Sequence, residues 1–320
     1  MVRFSEHVQD VLAAWLEWEQ RGGAALVVVT AVDGGGVRAA GAMMAVSAGG
    51  DRSGYISGGC LDADVALQAQ ASISDGLPRK LRYGAGSPFV DLPLPCGGAI
   101  EVTILPAADA EILRSWHDQL AARQMATIAF MASGDVFADA PLGAEFTFHH
   151  APKMRLRIAG RGADVLALAR LAQASGIETE LQMRVPDLPA GGDASGGVAV
   201  PLVSPNALPP VPDDPWTAFV LAFHDSEWED ALLKQALTGP AFFIGAVGSK
   251  RTQTRRRERL IAEGVRAEQI MRIHGPVGLI PSMRDASMLA LSILAEIAAI
   301  WRVRQTPPST AHDRSDLTAD

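Results

Sequence analysis

Arg155-Leu156-Arg157-Ile158-Ala159-Gly160-Arg161-Gly162-Ala163-Asp164 is the stretch that decides the fold of this 320-residue chain. Arg155 to Ala159 reads as a strand, and Gly160-Arg161-Gly162 reads as a tight turn. Asp164 to Ser175 then has Val165, Leu168 and Leu171 on one helical face. Gly176 stops that helix, and Ile177 to Met183 reads as a second strand. Strand, turn, helix and strand at this spacing make a βαβ unit of Rossmann length. The turn is only half of a dinucleotide fingerprint. Ala163-Asp164-Val165 stand where a third glycine is needed, and Gln182-Met183 stand where the ribose-binding acid belongs. Asp164 also places negative charge beside the anion position. A Rossmann fold without NAD is the expectation, with an NAD-dependent oxidoreductase as the rival reading.

The pattern continues downstream. Pro186 to Pro215 is rich in Pro, Gly and Asp and reads as one long loop. Thr217 to Phe223 reads as a strand, Ser226 to Leu237 as a helix and Ala241 to Val247 as a strand. Lys250 to Glu263 is a strongly basic helix that Ser249 is placed to cap. Ala286 to Trp301 is a long apolar helix, suited to the core or to a dimer surface. Residues 304–320 carry Pro, Ser, Thr and charge with few apolar side chains, and a disordered tail is expected there.

Upstream, the elements are of another kind. Ser5 is placed to cap a helix bearing Val8, Val11, Leu12, Trp15 and Leu16. Ala24 to Val32 is β-branched and apolar, and Asp33-Gly34-Gly35-Gly36 reads as a hairpin turn into Ala40 to Ser47. Tyr55-Ile56 reads as a short strand before a helix over Leu61 to Ile73. Further strands are expected over Lys80 to Tyr83, Ile100 to Leu105 and Ala126 to Met131, with a helix over Ala108 to Arg123. The expected organisation is an α/β protein: an N-terminal α+β domain over 1–148, then a C-terminal Rossmann-like domain over 153–303. His149-His150-Ala151-Pro152 reads as the exposed linker between them.

Composition narrows the function. Charged residues are 20% and hydrophobic ones 48%, as in ordinary globular proteins. A net charge of −8 argues against a general nucleic-acid or membrane-surface binder, since both need a basic face. The first residues lack the basic region and apolar core of a signal peptide, and no uncharged run reaches membrane-spanning length. Two cysteines are too few for a disulfide framework and suit reduced thiols in the cytoplasm.

Those two cysteines each lie beside a glycine pair, Gly58-Gly59-Cys60 and Cys96-Gly97-Gly98. Paired glycines let another group approach the backbone closely. A thiolate is a soft donor that can hold a metal transiently or relay sulfur. The bland alternative is two small side chains buried in tight turns. Asp62 and Asp64 follow Cys60 in the first turn of a helix, where complementing the helix dipole comes first. Ser249, Lys250 and Arg251 offer a cap hydroxyl and two cations to an anion, whereas Arg255 to Arg259 suits a solvated face or an acidic partner. His224 and His274 follow strands at the end where open α/β sheets bind ligands.

Taken in order, these motifs resemble the XdhC/CoxI family of xanthine dehydrogenase accessory proteins. The resemblance rests on Ser57-Gly58-Gly59-Cys60 with Asp62, Tyr83-Gly84, and Leu94-Pro95-Cys96-Gly97-Gly98 with Glu101. It continues through Gly160-x-Gly162, His224-Asp225, Phe243-Ile244-Gly245-x-x-Gly248-Ser249, Arg272-Ile273-His274-x-Pro276-x-Gly278-Leu279 and Leu291 to Ile297. It implies a chaperone, not an enzyme, that carries the molybdenum cofactor (molybdopterin) as cargo during sulfuration. It implies as partners a cysteine desulfurase, a molybdenum-insertion or biosynthesis protein and the molybdenum subunit of xanthine dehydrogenase. A homo-oligomer, with a dimer favoured, is also expected. Under this resemblance Cys60 and Cys96 are the candidate contacts to molybdenum or sulfur. Gly59, Gly97, Gly160, Gly162, His224, Ser249, Lys250, Arg251 and His274 are the other cofactor-binding candidates, the Gly160 turn being suited to the pterin's phosphate. The cofactor is expected between the domains. A pure interaction scaffold between desulfurase and dehydrogenase is the third reading.

Overall fold

The structure is a computed structural model. It describes residues 2–3, 6–34, 38–87, 97–138, 143–188 and 197–305. The chain forms two compact units, Met1–Lys153 and Met154–Asp320.

The first unit is α+β. Its elements are β1 (Val2–Arg3), α1 (Val8–Glu19), β2 (Ala24–Asp33), β3 (Met43–Ser47), β4 (Arg52–Gly54), α2 (Asp62–Asp75), β5 (Arg79–Gly84), β6 (Ala99–Leu105), α3 (Ala110–Ala121), β7 (Ala126–Phe130), β8 (Val136–Phe137) and β9 (Phe146–His150). A six-stranded sheet runs β1-β4-β3-β2-β6-β5, and β8-β7-β9 form a second sheet. The near-continuous apolar run of β2 follows from burial on both faces. Leu26 and Val28 pack with Trp15 of α1 and Trp116 of α3. Val27 and Val29 pack with Val65 and Ala69 of α2. The β2–β3 hairpin is present, with Ala24 opposite Ser47 and Val28 opposite Met43. The middle of its expected turn lies outside the described residues.

Several local expectations are corrected. The helix cap is His7, whose Nδ1 accepts from the Gln9 amide; Ser5 lies outside the described residues. Tyr55-Ile56 is not a strand, because β4 has already ended at Gly54. There, a side chain would drive into the Met43 carbonyl at 2.3 Å. The expected linker is also misread. His149 and His150 belong to β9 and pair with Thr127 and Ala126 of β7. His149 is exposed and exchanges a hydrogen bond with the Thr127 hydroxyl at 3.0 Å. His150 turns inward, and its Nε2 is buried with no hydrogen-bond partner among the described residues.

The second unit is doubly wound. Its elements are β10 (Arg155–Gly160), α4 (Ala163–Ala174), β11 (Glu178–Arg184), β12 (Val198–Leu202), β13 (Thr217–Ala222), α5 (Ser226–Thr238), β14 (Phe243–Ala246), α6 (Lys250–Ala262), α7 (Ala267–Ile270), β15 (Ile273–His274) and α8 (Ala286–Gln305). All six strands are parallel, in the order β12-β11-β10-β13-β14-β15. The expected α+β plus Rossmann-like architecture is what the chain adopts. Helices α4 and α8 cover one face through Leu168, Ala172, Ile293 and Ile297. Helix α5 covers the other through Trp228, Leu232 and Leu233, joined by Leu260 of α6.

The expected long loop over Pro186 to Pro215 hides β12, an edge strand paired with β11. Arg157 stands in the buried strand β10 because Asp213 takes its guanidinium at 2.5 Å and the Phe219 ring lies 4.0 Å beneath it. Ala286–Val303 of α8 is apolar and long enough to cross a membrane by length and composition, although Glu296 and Arg302 interrupt it. Here its Ala290, Ile293 and Ile297 pack in the core. The helix runs on to Gln305, past the expected tail boundary, and residues 306–320 lie outside the described residues.

Candidate functional site

Gly160 ends β10 opposite Ala222 of β13. A Cβ on Gly160 would lie 2.7 Å from the Ala222 carbonyl oxygen and 2.7 Å from Val165, so only glycine lets the strand, its neighbour and α4 close together. The chain leaves Gly160 toward α4 on one face and leaves Ala222 toward α5 on the other. That divergence is the topological switch point, where doubly wound sheets form a crevice. Gly162 stands at the start of α4 with φ +80° and no side chain capping the helix. His224 is exposed just beyond β13, and Asp225 caps α5 by accepting the Glu227 amide at 3.1 Å. The fold thus brings Gly160, Gly162 and His224 to one end of two adjacent strands.

A second group lies one and two strands further along. Ser249 caps α6 as expected, its Oγ accepting the Thr252 amide at 3.1 Å. Lys250 and Arg251 follow, exposed, in the first turn. The rest of the basic run is not the solvated face that the sequence suggests. Arg256 is 1% exposed and meets Glu229 of α5 at 2.8 Å. Arg259 holds Asp230 at 2.7 Å and Glu229 at 3.0 Å. Arg255 and Arg257 remain on the surface. Gln253 is also buried: it donates to the Ala246 carbonyl at 2.9 Å and accepts from Arg256 at 2.7 Å. Its side chain fills the space beside Gly275, and Gly248 lies next to it. The turns after β14 and β15 are therefore braced by one amide.

His274 closes β15 opposite Gly245. Its ring stacks on Phe243 with centroids 4.6 Å apart. Its Nδ1 lies 3.2 Å from the Glu296 carboxylate of α8, which also accepts the Gly278 amide at 2.6 Å. Burial pushes the Glu296 carboxyl up, but the hydrogen bonds from His274 and Gly278 outweigh it and hold the group below its usual range. His274 adjoins the Ser249 turn but stands two strands from β13, so it does not join His224 at the switch point.

In the first unit, Cys60 is exposed on a loop just before α2, whose N-cap is Leu61. Asp62 does not simply face the helix dipole. It is buried and accepts from the Ile56 amide at 2.9 Å, the Gly59 amide at 3.0 Å and the Ser57 hydroxyl. Ser57 Oγ in turn accepts the Gly59 and Leu61 amides at 3.0 and 3.2 Å. Gly59, at φ +106° with open space around it, carries the loop outward. Asp64 accepts the Tyr83 hydroxyl at 2.6 Å. Tyr83 faces Ile100, next to the Gly84–Ala99 pair that ends the ladder of β5 and β6. Burial, then the Asp64 hydrogen bond, push the Tyr83 phenol far up, so it stays a donor. Gly97, exposed at φ +71°, lies just beyond that same sheet end. The start of α2 and the Gly97 turn thus share one end of the sheet. Cys96 lies outside the described residues. Among the described residues no three His, Cys, Asp or Glu side chains group as a metal site.

Two side chains were not singled out from sequence. Arg161 is exposed between Gly160 and Gly162, a cation at the switch point itself. Its place inside the quoted turn was the available signal. Glu296 is the sole acid in the apolar Leu291 to Ile297 run. A lone charge in such a helix needs a partner, and that was its signal. The last residues of β11, Gln182, Met183 and Arg184, are not acidic, as in the broken dinucleotide fingerprint, and the carboxylate just beyond them, Asp187, is taken by Arg184 at 2.7 Å.

Comparison with known proteins agrees along most of the chain. Residues 156–297 match the XdhC Rossmann domain, and residues 17–84 match the XdhC and CoxI family. The molybdenum cofactor insertion chaperone PaoD of Escherichia coli (strain K12) is 33% identical over 302 residues, covering 90% of this chain and 88% of PaoD. The crystal structure of a xanthine dehydrogenase from Bacillus halodurans has the same fold, with a TM-score of 0.77 over 95% of this chain and 98% of that one at 24% identity. The chain belongs to the XdhC/CoxI family.

Proposed function

We propose that this protein is a chaperone that binds the molybdenum cofactor as cargo and inserts it into a molybdenum hydroxylase of the xanthine dehydrogenase type. The observation that carries the reading is the 33% identity, spread over 90% of the chain, to a molybdenum cofactor insertion chaperone. The geometry supports it in two ways. The switch point offers backbone N–H groups and Arg161 to an anionic phosphate. The exposed Cys60 loop offers a soft donor; Cys96, which lies outside the described residues, is its proposed counterpart from the sequence. Sulfuration during the cofactor's stay makes a cysteine desulfurase a partner, beside a molybdenum-insertion or biosynthesis protein and the dehydrogenase's molybdenum subunit. The protein acts without turnover, as a dimer, in the cytoplasm, where thiols stay reduced.

The test is a titration of the full chain with purified molybdenum cofactor. Wild type binds stoichiometrically, and Cys60→Ala and Cys96→Ala weaken binding. Tight NAD binding with no cofactor binding defeats the proposal. Desulfurase binding without cofactor binding favours the scaffold reading instead.

A further inference from the structure

Glu296 and His274 form a dyad that no motif reading assigns. The carboxylate side chain is 17% exposed and the imidazole 37%. They come from α8 and β15, and Phe243 of β14 packs on the imidazole's other side. Phe243 is neutral and Glu296 is charged, so the carboxylate sets the ring's protonation pattern. An acceptor on one ring nitrogen fixes the tautomer of a neutral histidine and leaves the other nitrogen bare. Glu296 has a second ligand in the Gly278 amide, and Ser292, one turn earlier on α8, accepts the Ile280 amide at 2.7 Å. The same face of α8 therefore locks both the imidazole and the turn after it. Nε2 has no hydrogen-bond partner among the described residues.

We propose that Glu296 is the positioning residue that holds the Nδ1 proton of His274, so that Nε2 is presented as an acceptor for an N–H of the bound pterin. This gives a definite role to a residue that the sequence offers only as a cofactor-binding candidate, and it rests on the cofactor-binding reading above. No bond is made or broken in this step. The pterin N–H donates to Nε2, and the proton on Nδ1 stays shared with Glu296.

Long-range proton–nitrogen NMR on the full chain reads the tautomer directly. In wild type His274 carries its proton on Nδ1. In Glu296→Gln the amide donates to Nδ1 and the proton moves to Nε2. Affinity for purified molybdenum cofactor drops roughly tenfold in Glu296→Gln. His274→Gln loses the same amount, and the double variant loses no more. His274→Gln keeps the test open if Glu296→Gln does not fold. A wild-type proton on Nε2, or an unmoved tautomer in Glu296→Gln, overturns the proposal. So does full affinity in both single variants while wild type binds. No binding by wild type is a different result and overturns the chaperone reading, taking this role with it.

Discussion

Arg256 and Glu229 meet at 2.8 Å with side chains only 1% and 5% exposed. The pair ties α6 to α5 beneath the Ser249 turn. Removing Arg256 takes two hydrogen bonds from the buried Glu229 and leaves its Arg259 contact at 3.0 Å, which costs about 2–3 kcal/mol. Arg256→Ala is expected to lose that much in urea unfolding. Arg257→Ala, one residue on and exposed, is expected to stay within about 0.5 kcal/mol of wild type. Equal losses would show that the pair does not anchor the helix.

The carboxylate of Asp62 holds the loop that presents Cys60. Asp62→Ala leaves the Ile56 amide and the Ser57 hydroxyl short of an acceptor, while the Gly59 amide keeps Ser57 Oγ. The expected cost is about 2–3 kcal/mol, from a charged acceptor lost in a buried site. Cys60→Ala, at an exposed position, is expected to cost less than about 0.5 kcal/mol. Chemical denaturation of the two variants side by side checks the contrast.

Acid should weaken the first unit through His150. Burial, then the nearby His7 and His149, lower its pKa from 6.5 to about 4. Burial also lowers His7, with Lys153 adding to it. The folded state therefore resists a proton that the unfolded chain accepts. The stabilisation is full above pH 6.5 and is lost as the pH falls from there toward 4. A loss on the order of 1–2 kcal/mol between pH 7 and pH 5 is expected from this group. His150→Phe should flatten that limb of a stability-versus-pH curve, and an unchanged limb counts against the assignment.

Gly160 and Gly162 differ in what a methyl group would meet. Gly160→Ala sets a Cβ 2.7 Å from the Ala222 oxygen, and overpacking of this kind costs about 1–3 kcal/mol. Gly162→Ala meets nothing within 4 Å, but the residue sits at φ +80°. Its cost is backbone strain of about 1–3 kcal/mol, because φ +80° with ψ −164° is a conformation that glycine alone takes readily. Both variants should lower the thermal unfolding temperature, and a Gly160→Ala protein as stable as wild type would mean that β10 and β13 separate readily.

The Rossmann half was legible because Val165, Leu168 and Leu171 repeat at helical spacing between two apolar strands. The broken fingerprint was legible too, being a matter of residue type at fixed positions. What stayed hidden was whatever depends on a distant partner. The burial of Arg256 is decided by Glu229 on another helix, although Gln253, Arg256 and Leu260 do recur at the spacing of a buried face. Strand β12 was hidden by its proline-rich surroundings, and it exists because β11 lies beside it. His150 follows Phe146 and Phe148 in strict alternation, a period-two signal outweighed by the polar look of His-His-Ala-Pro. Asp62 was read by its place in the helix, but its ligands are backbone amides that no sequence pattern prints.

The two margins of the C-terminal sheet have one further consequence. β12 ends the sheet on one side and carries Pro201, which has no amide proton to offer a new neighbour. β15 ends it on the other and is two residues long. Neither margin can template another strand over any length, so the sheet is guarded against fibre growth by self-addition. A protein that docks on this unit must then be met by side chains and helix faces, where contacts are made and released without extending a ladder.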